Sequence, residues 1–254
     1  MTSEGASSPD AAPTIQTVQR AALILSAFTV SRPYLSLREI TVRLGASKAT
    51  AHRYTKALRA ANLLRYDEQT ALYSLGPQVL TLAASARAGL PIVTVAEPYL
   101  EKLVKQVDET VVLSVWDGEA PTVVRSADNT DQSVRISVRP GARLDVTGSA
   151  QGRVFCAFLP PDQVPGLPEL LRQSPELAGD LATIRAQGVA VDSLARSGVR
   201  TFAAPVFEGT TITATMAIVG TTASVPSDVD STMAKSLVET AADLSRRLGS
   251  LSPV

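Results

Sequence analysis

The chain has 254 residues, 45% of them hydrophobic and 19% charged, and its 24 basic residues balance 24 acidic ones. That length buries a sizeable core and suits two domains better than one, and the composition is that of a globular protein. A single cysteine and a single histidine exclude an internal disulfide, a cysteine-built zinc site and a histidine-rich metal centre, which fits a reducing cytoplasm.

Residues 1–13, rich in Ser, Ala, Pro and Gly, lack the charged and apolar regions of a signal peptide and read as a disordered tail. No apolar run approaches the ~20 residues needed to cross a bilayer, so no membrane partner is expected. Between Ile15 and Val30 the spacing of Val18, Ala22, Leu25 and Phe28 predicts a first helix with those side chains inward. "RPYLS" breaks it. Ser36 and Glu39 have the spacing at which a serine oxygen and a glutamate carboxylate satisfy the free amides of a helix start. The second helix then buries Leu37, Ile40 and Leu44 and stops at Gly45. Ser47 opens a third helix through about Ala61, with Ala51, Tyr54, Leu58 and Ala61 on its buried side. Two short helices joined by a tight glycine turn make a helix-turn-helix. Leu63–Tyr66 and Leu72–Leu75, separated by "DEQT", add a hairpin, the wing. Residues 14–76 are therefore predicted as a winged helix-turn-helix domain and 77–90 as a linker helix.

Charge singles out this block. Between Arg32 and Arg65 eight basic side chains stand against one acid, Glu39, so a neutral chain holds a local excess of seven positive charges. Lys48, Thr50, His52, Arg53 and Lys56 project from the third helix, weighted toward the N-terminal half that reaches base edges in a major groove. Ser47, Thr50 and the free helix-start amides suit phosphate oxygens, and Arg38 and Arg65 extend the basic surface. Arg53 either pairs bidentately with guanine or clamps a phosphate. The bland alternative is a solvated basic face. The capped helix, the turn and the wing together favour double-stranded DNA as the partner.

Residues 91–250 read differently. "VAEPYLEKLVKQV" is an amphipathic helix, followed by the strands "TVVLSVW" and "PTVVRSA" around a "DGE" turn. In "SVRISVR", Val134, Ile136 and Val138 alternate with Arg135, Ser137 and Arg139, the mark of a half-buried strand. "GSAQGRVFCAFL" is a loop entering a helix, and Leu177–Gln187 another helix. "GVRTFAAPVF" and "TITATMAIVG" are strands. Val229, Met233, Leu237, Ala241, Leu244 and Leu248 keep helical spacing to Gly249. Helices flanking a mostly antiparallel sheet make this an α+β domain.

"LREITVRLGASKATAHRYTKALRAANLLRYDEQTALYSLG" resembles the DNA-binding domain of the isocitrate-lyase-regulator (IclR) family of bacterial transcription factors. "VDETVVLSVWDGEAPTVVRSA", "VRPGARLDVTGSAQGRVFCAFL", "IRAQGVAVD" and "GVRTFAAPVFEGTTITATMAIVG" continue the likeness, so it covers nearly everything from Thr14 to Gly249. The resemblance implies a GAF-like second domain that binds a small effector, often an organic or aromatic acid, and chains that pair as dimers or as dimers of dimers. It also implies a pocket lined by Ser149, Ala150, Gln151 and Gly152, by Asp192, and by the strand residues Thr201, Ala217 and Val219. The stretch from Asp192 to Gly198 is one residue shorter than the family pattern. Strand alternation adds Thr213 and Thr215 to the same wall, and the mixture of hydroxyl and methyl groups points to a less polar effector. For each of these residues plain core packing is the competing reading.

Three functions follow in order: effector-responsive transcription control, an architectural DNA-binding protein whose second domain only oligomerises, and an enzyme carrying a DNA-binding appendage. The last has little support. His52 lies far in sequence from Cys156, which sits in an apolar run, no carboxylates are paired at helical spacing, and "GSAQG" lacks the Lys-Ser/Thr of a phosphate loop. No cofactor and no metal are expected.

Overall fold

The computed structural model describes residues 16–29, 32–128, 136–194 and 198–249. The predicted tail and the part of "SVRISVR" before Ile136 lie outside them. The chain divides after Ala88 into two compact units.

The first unit holds α1 (Gln16–Leu25), β1 (Leu35–Ser36), α2 (Leu37–Leu44), α3 (Lys48–Ala60), β2 (Leu64–Asp67), β3 (Leu72–Leu75) and α4 (Pro77–Ala88). The capping box forms as expected: Ser36 Oγ accepts from Glu39 N, and Glu39 accepts from Ser36 N at 2.8 Å. Gly45 ends α2 at φ 58°, a left-handed conformation that costs glycine nothing. The three antiparallel strands lie in the order β1-β3-β2. Ile24, Ile40, Leu44, Ala51, Tyr54, Leu58, Leu64 and Tyr73 make the core. Two details differ from expectation. On α1 the buried stripe runs through Ile24 to Ala27 and Phe28, leaving Val18 and Ala22 exposed, because the chain leaves the helix at Leu25 and turns Ala27 inward. On α3 Ala61 is exposed, and Thr55 is the fourth buried residue instead.

The second unit holds α5 (Pro91–Val107), β4 (Thr110–Trp116), β5 (Pro121–Ala127), α6 (Ala150–Phe158), α7 (Leu167–Gln173), α8 (Pro175–Gln187), β6 (Ala190–Leu194), β7 (Val199–Glu208), β8 (Thr211–Thr221) and α9 (Thr232–Arg247). Its five strands pair antiparallel in the order β5-β4-β8-β7-β6. Alternation sorts their side chains onto two faces. Leu113, Phe202, Ala204, Met216 and Ile218 meet α5 and α9, and Ala190, Ala203 and Ala217 meet α6 and α8.

Two expectations in this unit need correcting. Ile136–Arg139 forms no ladder, although Ile136 and Val138 still turn inward onto Val112, Val123 and Val219. The backbone there is held otherwise, with Thr110 Oγ1 donating to Ile136 O at 2.6 Å. Thr213 does not join the wall of Thr215, Ala217 and Val219. It is the unpaired extra residue where the β7–β8 register shifts, since Val206 faces Ala214 and Phe207 faces Ile212. The elements α7 and β6 are additions to the sequence reading.

One polar network fixes the approach to α6. Asp117, in the β4–β5 turn, accepts from Arg143 Nε at 2.8 Å and Nη2 at 3.0 Å, from Ala120 N and Glu119 N, and from Thr122 Oγ1. Arg143 also reaches Glu119 at 2.9 Å. Burial alone would raise the Asp117 carboxyl, but the donors from Arg143 and the turn outweigh it and bring it down from 3.8 to about 2. Because the folded value lies below the unfolded one, this stabilisation is complete above about pH 4 and is lost as the pH falls through about 2. Asp117→Asn is therefore expected to flatten the loss of stability between pH 4 and pH 2 in urea titrations, relative to the parent chain.

Candidate nucleic-acid interface and effector site

Lys48, His52, Arg53 and Lys56 all lie on the exposed side of α3, opposite Ala51, Tyr54, Thr55 and Leu58. Arg38 on α2 and Arg65 on β2 are exposed too. None of these six side chains makes an ion pair among the described residues. The one acid of the block is already engaged, because Glu39 serves the capping box and pairs with Arg32 at 2.7 Å. Ser47 caps α3 by accepting from Thr50 N at 3.2 Å, and the two hydroxyls lie 3.0 Å apart, so each is partly committed to the helix start.

The hairpin is locked to this helix. Thr55 Oγ1 lies 3.4 Å from Tyr73 Oη, the Tyr66 and Tyr73 rings are 4.7 Å apart, and Arg59 sits 5.1 Å above the Tyr66 ring. At the wing tip Asp67 accepts from Gln69 N and Thr70 Oγ1, both at 2.9 Å.

In the second unit the expected effector residues gather on one sheet face. Asp192, Thr201 and Val219 form a row across β6, β7 and β8 that Thr110 continues on β4. The next row is Ala190, Ala203, Ala217 and Val112, and the one after it Pro205, Thr215 and Ser114. Asp192 falls into place despite the short following segment, because it pairs directly with Thr201. Ser149 caps α6, accepting from Gly152 N at 3.0 Å and donating to Asp145 O at 2.6 Å. A Cβ on Gly152 would collide with the carbonyls of Asp145 and Val146, so only glycine lets the loop lie this close to the helix start.

Exposure divides these residues. Asp192, Thr201 and Ser149 are half-buried, whereas Ala150, Gln151, Gly152, Thr215, Ala217 and Val219 are buried. Two residues absent from the sequence reading join them. Arg153 binds Asp180 at 2.8 Å and Val191 O at 2.6 Å and lies 3.8 Å from Asp192. Ser114 lies opposite Thr215. The lone serine within "VVLSVW" was the available signal. A groove of about 330 Å³ opens elsewhere, lined by Gln187, Val189, Val229, Asp230, Lys235, Val238 and Glu239, and it includes none of the expected residues.

Catalytic chemistry finds no footing at Cys156. The thiol is fully buried, and burial pushes it up to about 11, so it is protonated at neutral pH. No group of three or more His, Cys, Asp or Glu among the described residues is arranged to hold a metal ion. Among them, no single helix is long and apolar enough to cross a membrane.

Residues 17–68 match the IclR helix-turn-helix domain and residues 84–246 match the bacterial transcriptional regulator IclR C-terminal domain. The chain belongs to the IclR family. It is 32% identical over 187 residues to the HTH-type transcriptional regulator Rv1719 of Mycobacterium tuberculosis, covering 70% of this chain and 71% of that one. A crystal structure of a chain assigned as an IclR transcriptional regulator, from a Silicibacter species, superposes with TM-score 0.81 at 26% identity over 93% of this chain and 98% of that one. An IclR homologue from Microbacterium hydrocarbonoxydans, solved with 4-hydroxybenzoate, shares the fold at TM-score 0.73 and 19% identity, covering 92% and 99%. This chain is thus a DNA-binding transcriptional regulator, with the helix-turn-helix in its first unit.

Proposed function

We propose that α3 reads operator DNA through Lys48, Thr50, His52, Arg53 and Lys56, with Ser47, Arg38 and Arg65 on neighbouring phosphates. The observation that carries this reading is the exposed run of unneutralised cations on a helix whose one nearby carboxylate is used internally. A charged helix face that served only solubility gains from interspersed acids, and this one has none. In a cytoplasmic regulator of this kind, the second unit binds a small organic acid, and the effector shifts the chain between forms of unequal DNA affinity. The α6 start, Ser149 to Gly152, holds the ligand against Asp192, Thr201, Thr215, Ala217 and Val219. The apolar share of that lining favours an aromatic over a short keto acid. The role is regulatory and not catalytic, in keeping with the buried, protonated thiol.

The active form is a homodimer or a tetramer built as a dimer of dimers; one helix-turn-helix covers a half-site, and two copies span a pseudo-palindrome. Support comes from α4, whose described side chains are exposed apart from the half-buried Val79. Leu80 is 75% exposed and Leu82 53%, and on α1 Val18 is 64% exposed. Apolar helix faces of this kind are covered in a stable assembly.

Arg53→Ala and Lys56→Ala are expected to weaken operator binding in fluorescence anisotropy, by about 1–3 kcal/mol where a bidentate base contact is lost, with far-UV circular dichroism unchanged. For a phosphate-contacting residue the slope of log K against log salt also falls by about one. Wild-type affinity in both variants removes α3 from the interface. Leu80→Glu is expected to shift sedimentation toward monomer and to weaken operator binding with it. In the same anisotropy assay aromatic carboxylic acids are expected to change operator affinity where short keto acids do not, and a response to keto acids alone reverses the effector assignment.

A further inference from the structure

The four buried side chains of α3, Ala51, Tyr54, Thr55 and Leu58, mark the line along which the helix meets its own domain. Successive helical residues turn by about 100°, which places every exposed position against that line. Ala49 and Ala60 fall within about 10° of the direction opposite it, and Arg53 and Lys56 about 30° to either side. His52 stands about 70° away and Thr50 about 90°. Ala49, His52, Arg53, Lys56 and Ala60 are exposed, and Thr50 is half-buried. The middle of the cationic face is therefore a line of methyl groups flanked by two long cations.

The domain stands behind the helix. When α3 enters a groove, the ridge opposite its buried stripe goes deepest, and its N-terminal half reaches base edges. Ala49 is the second residue of α3, so it holds the deepest point of that half. The neighbouring hydroxyls do not compete for this point. Ser47 Oγ accepts from Thr50 N at 3.2 Å and lies 3.0 Å from Thr50 Oγ1, so both belong to the helix start. Ala49 presents a bare methyl group to a base pair. On the major-groove edge the partner for such a group is the 5-methyl of thymine.

Arg53 lies four residues further along the same ridge, about 6 Å at the rise of an α-helix. Base pairs stack at about 3.4 Å, so the two side chains address positions about two base pairs apart. Arg53 makes no ion pair among the described residues. A guanidinium fork at the groove floor matches O6 and N7 of guanine. Lys56 lies nearer the C-terminus of α3, beyond the half that reaches base edges.

We infer that Ala49 reads the methyl group of a thymine in each operator half-site, about two base pairs from a guanine read by Arg53. This rests on the docking of α3 proposed above and adds to it a residue and a base pattern. The methyl contact is apolar, so its share of the affinity does not depend on salt, unlike that of the cations.

Full-length protein first selects half-sites from duplexes of random sequence. Each selected thymine is then replaced in turn by uracil, which removes the methyl and keeps the pairing, and each guanine by 7-deazaguanine, which removes N7. Fluorescence anisotropy gives the affinities of the parent chain, of Ala49→Gly and of Arg53→Ala. In the parent, one thymine per half-site is expected whose methyl contributes about threefold to fourfold in affinity, the worth of one buried carbon. That margin is unchanged between low and moderate salt, and the thymine lies about two base pairs from a guanine sensitive to 7-deaza replacement. Ala49→Gly abolishes the thymine margin and keeps the guanine one, and Arg53→Ala does the reverse.

A parent chain with no methyl-sensitive thymine, or none at that spacing from a sensitive guanine, overturns the inference. The docking of α3 still stands in that case if Arg53→Ala weakens binding. An undiminished thymine margin in Ala49→Gly overturns the inference as well. Parental affinity in both Arg53→Ala and Lys56→Ala, or selection of no sequence at all, removes docking and inference together. The scan of base analogues on the parent chain needs no substitution in the protein, so it decides the matter even for a variant that fails to fold.

Discussion

The positive charges on α3 repel one another, and among the described residues no ion pair offsets those of Lys48, Arg53 and Lys56. Glu39 is the one carboxylate between Arg32 and Arg65, and the helix start at Ser36 holds it together with Arg32. The capping box therefore does two jobs. It stops the backbone of α2 from fraying, and it engages the one acid of the Arg32–Arg65 block away from Lys48, Arg53 and Lys56. A surface of this kind is relieved by a polyanion, and attraction between the two weakens as ionic strength rises.

Strand alternation gives the sheet of the second unit two faces, each covered by helices. One sheet face is closed by α5 and α9 over Phe202, Met216 and Ile218, large side chains that fill the space between helix and sheet. The other face carries alanines in its middle row and polar groups on either side. A larger side chain at Ala203 or Ala217 would press on α6 and α8, whereas the same change at Ala204 would alter the packing against α5 and α9. The loop before α6 is fastened by the Asp117–Arg143 network and by the close approach at Gly152, so the start of α6 is set by contacts at some distance from it in sequence.

Much of this was legible in the sequence where the signal is local. The capping box, the Gly45 stop, the Ser47 cap and the "DEQT" turn are each written in a few neighbouring residues, and each stands where the spacing placed it. The gathering of Asp192, Thr201, Ala217 and Val219 was legible only through family resemblance, because it depends on the order of strands. What escaped depends on register. Thr213 was assigned by strict alternation and is the residue skipped at a bulge. Ile136 and Val138 alternate as a strand does, yet their segment lies over the sheet without joining it, and a period of two records burial and not pairing. On α1 the expected Val18 and Ala22 are exposed, whereas Phe28, beyond the helix end at Leu25, is buried as its spacing suggested. Ser114 and Arg153 acquire meaning only from what lies across from them.

The bond from Thr55 to Tyr73 and the guanidinium of Arg59 over the Tyr66 ring join α3 to its hairpin as a single head. A head of this kind has no internal setting to adjust. The helix and the hairpin therefore move together, so that any displacement of one carries the other with it.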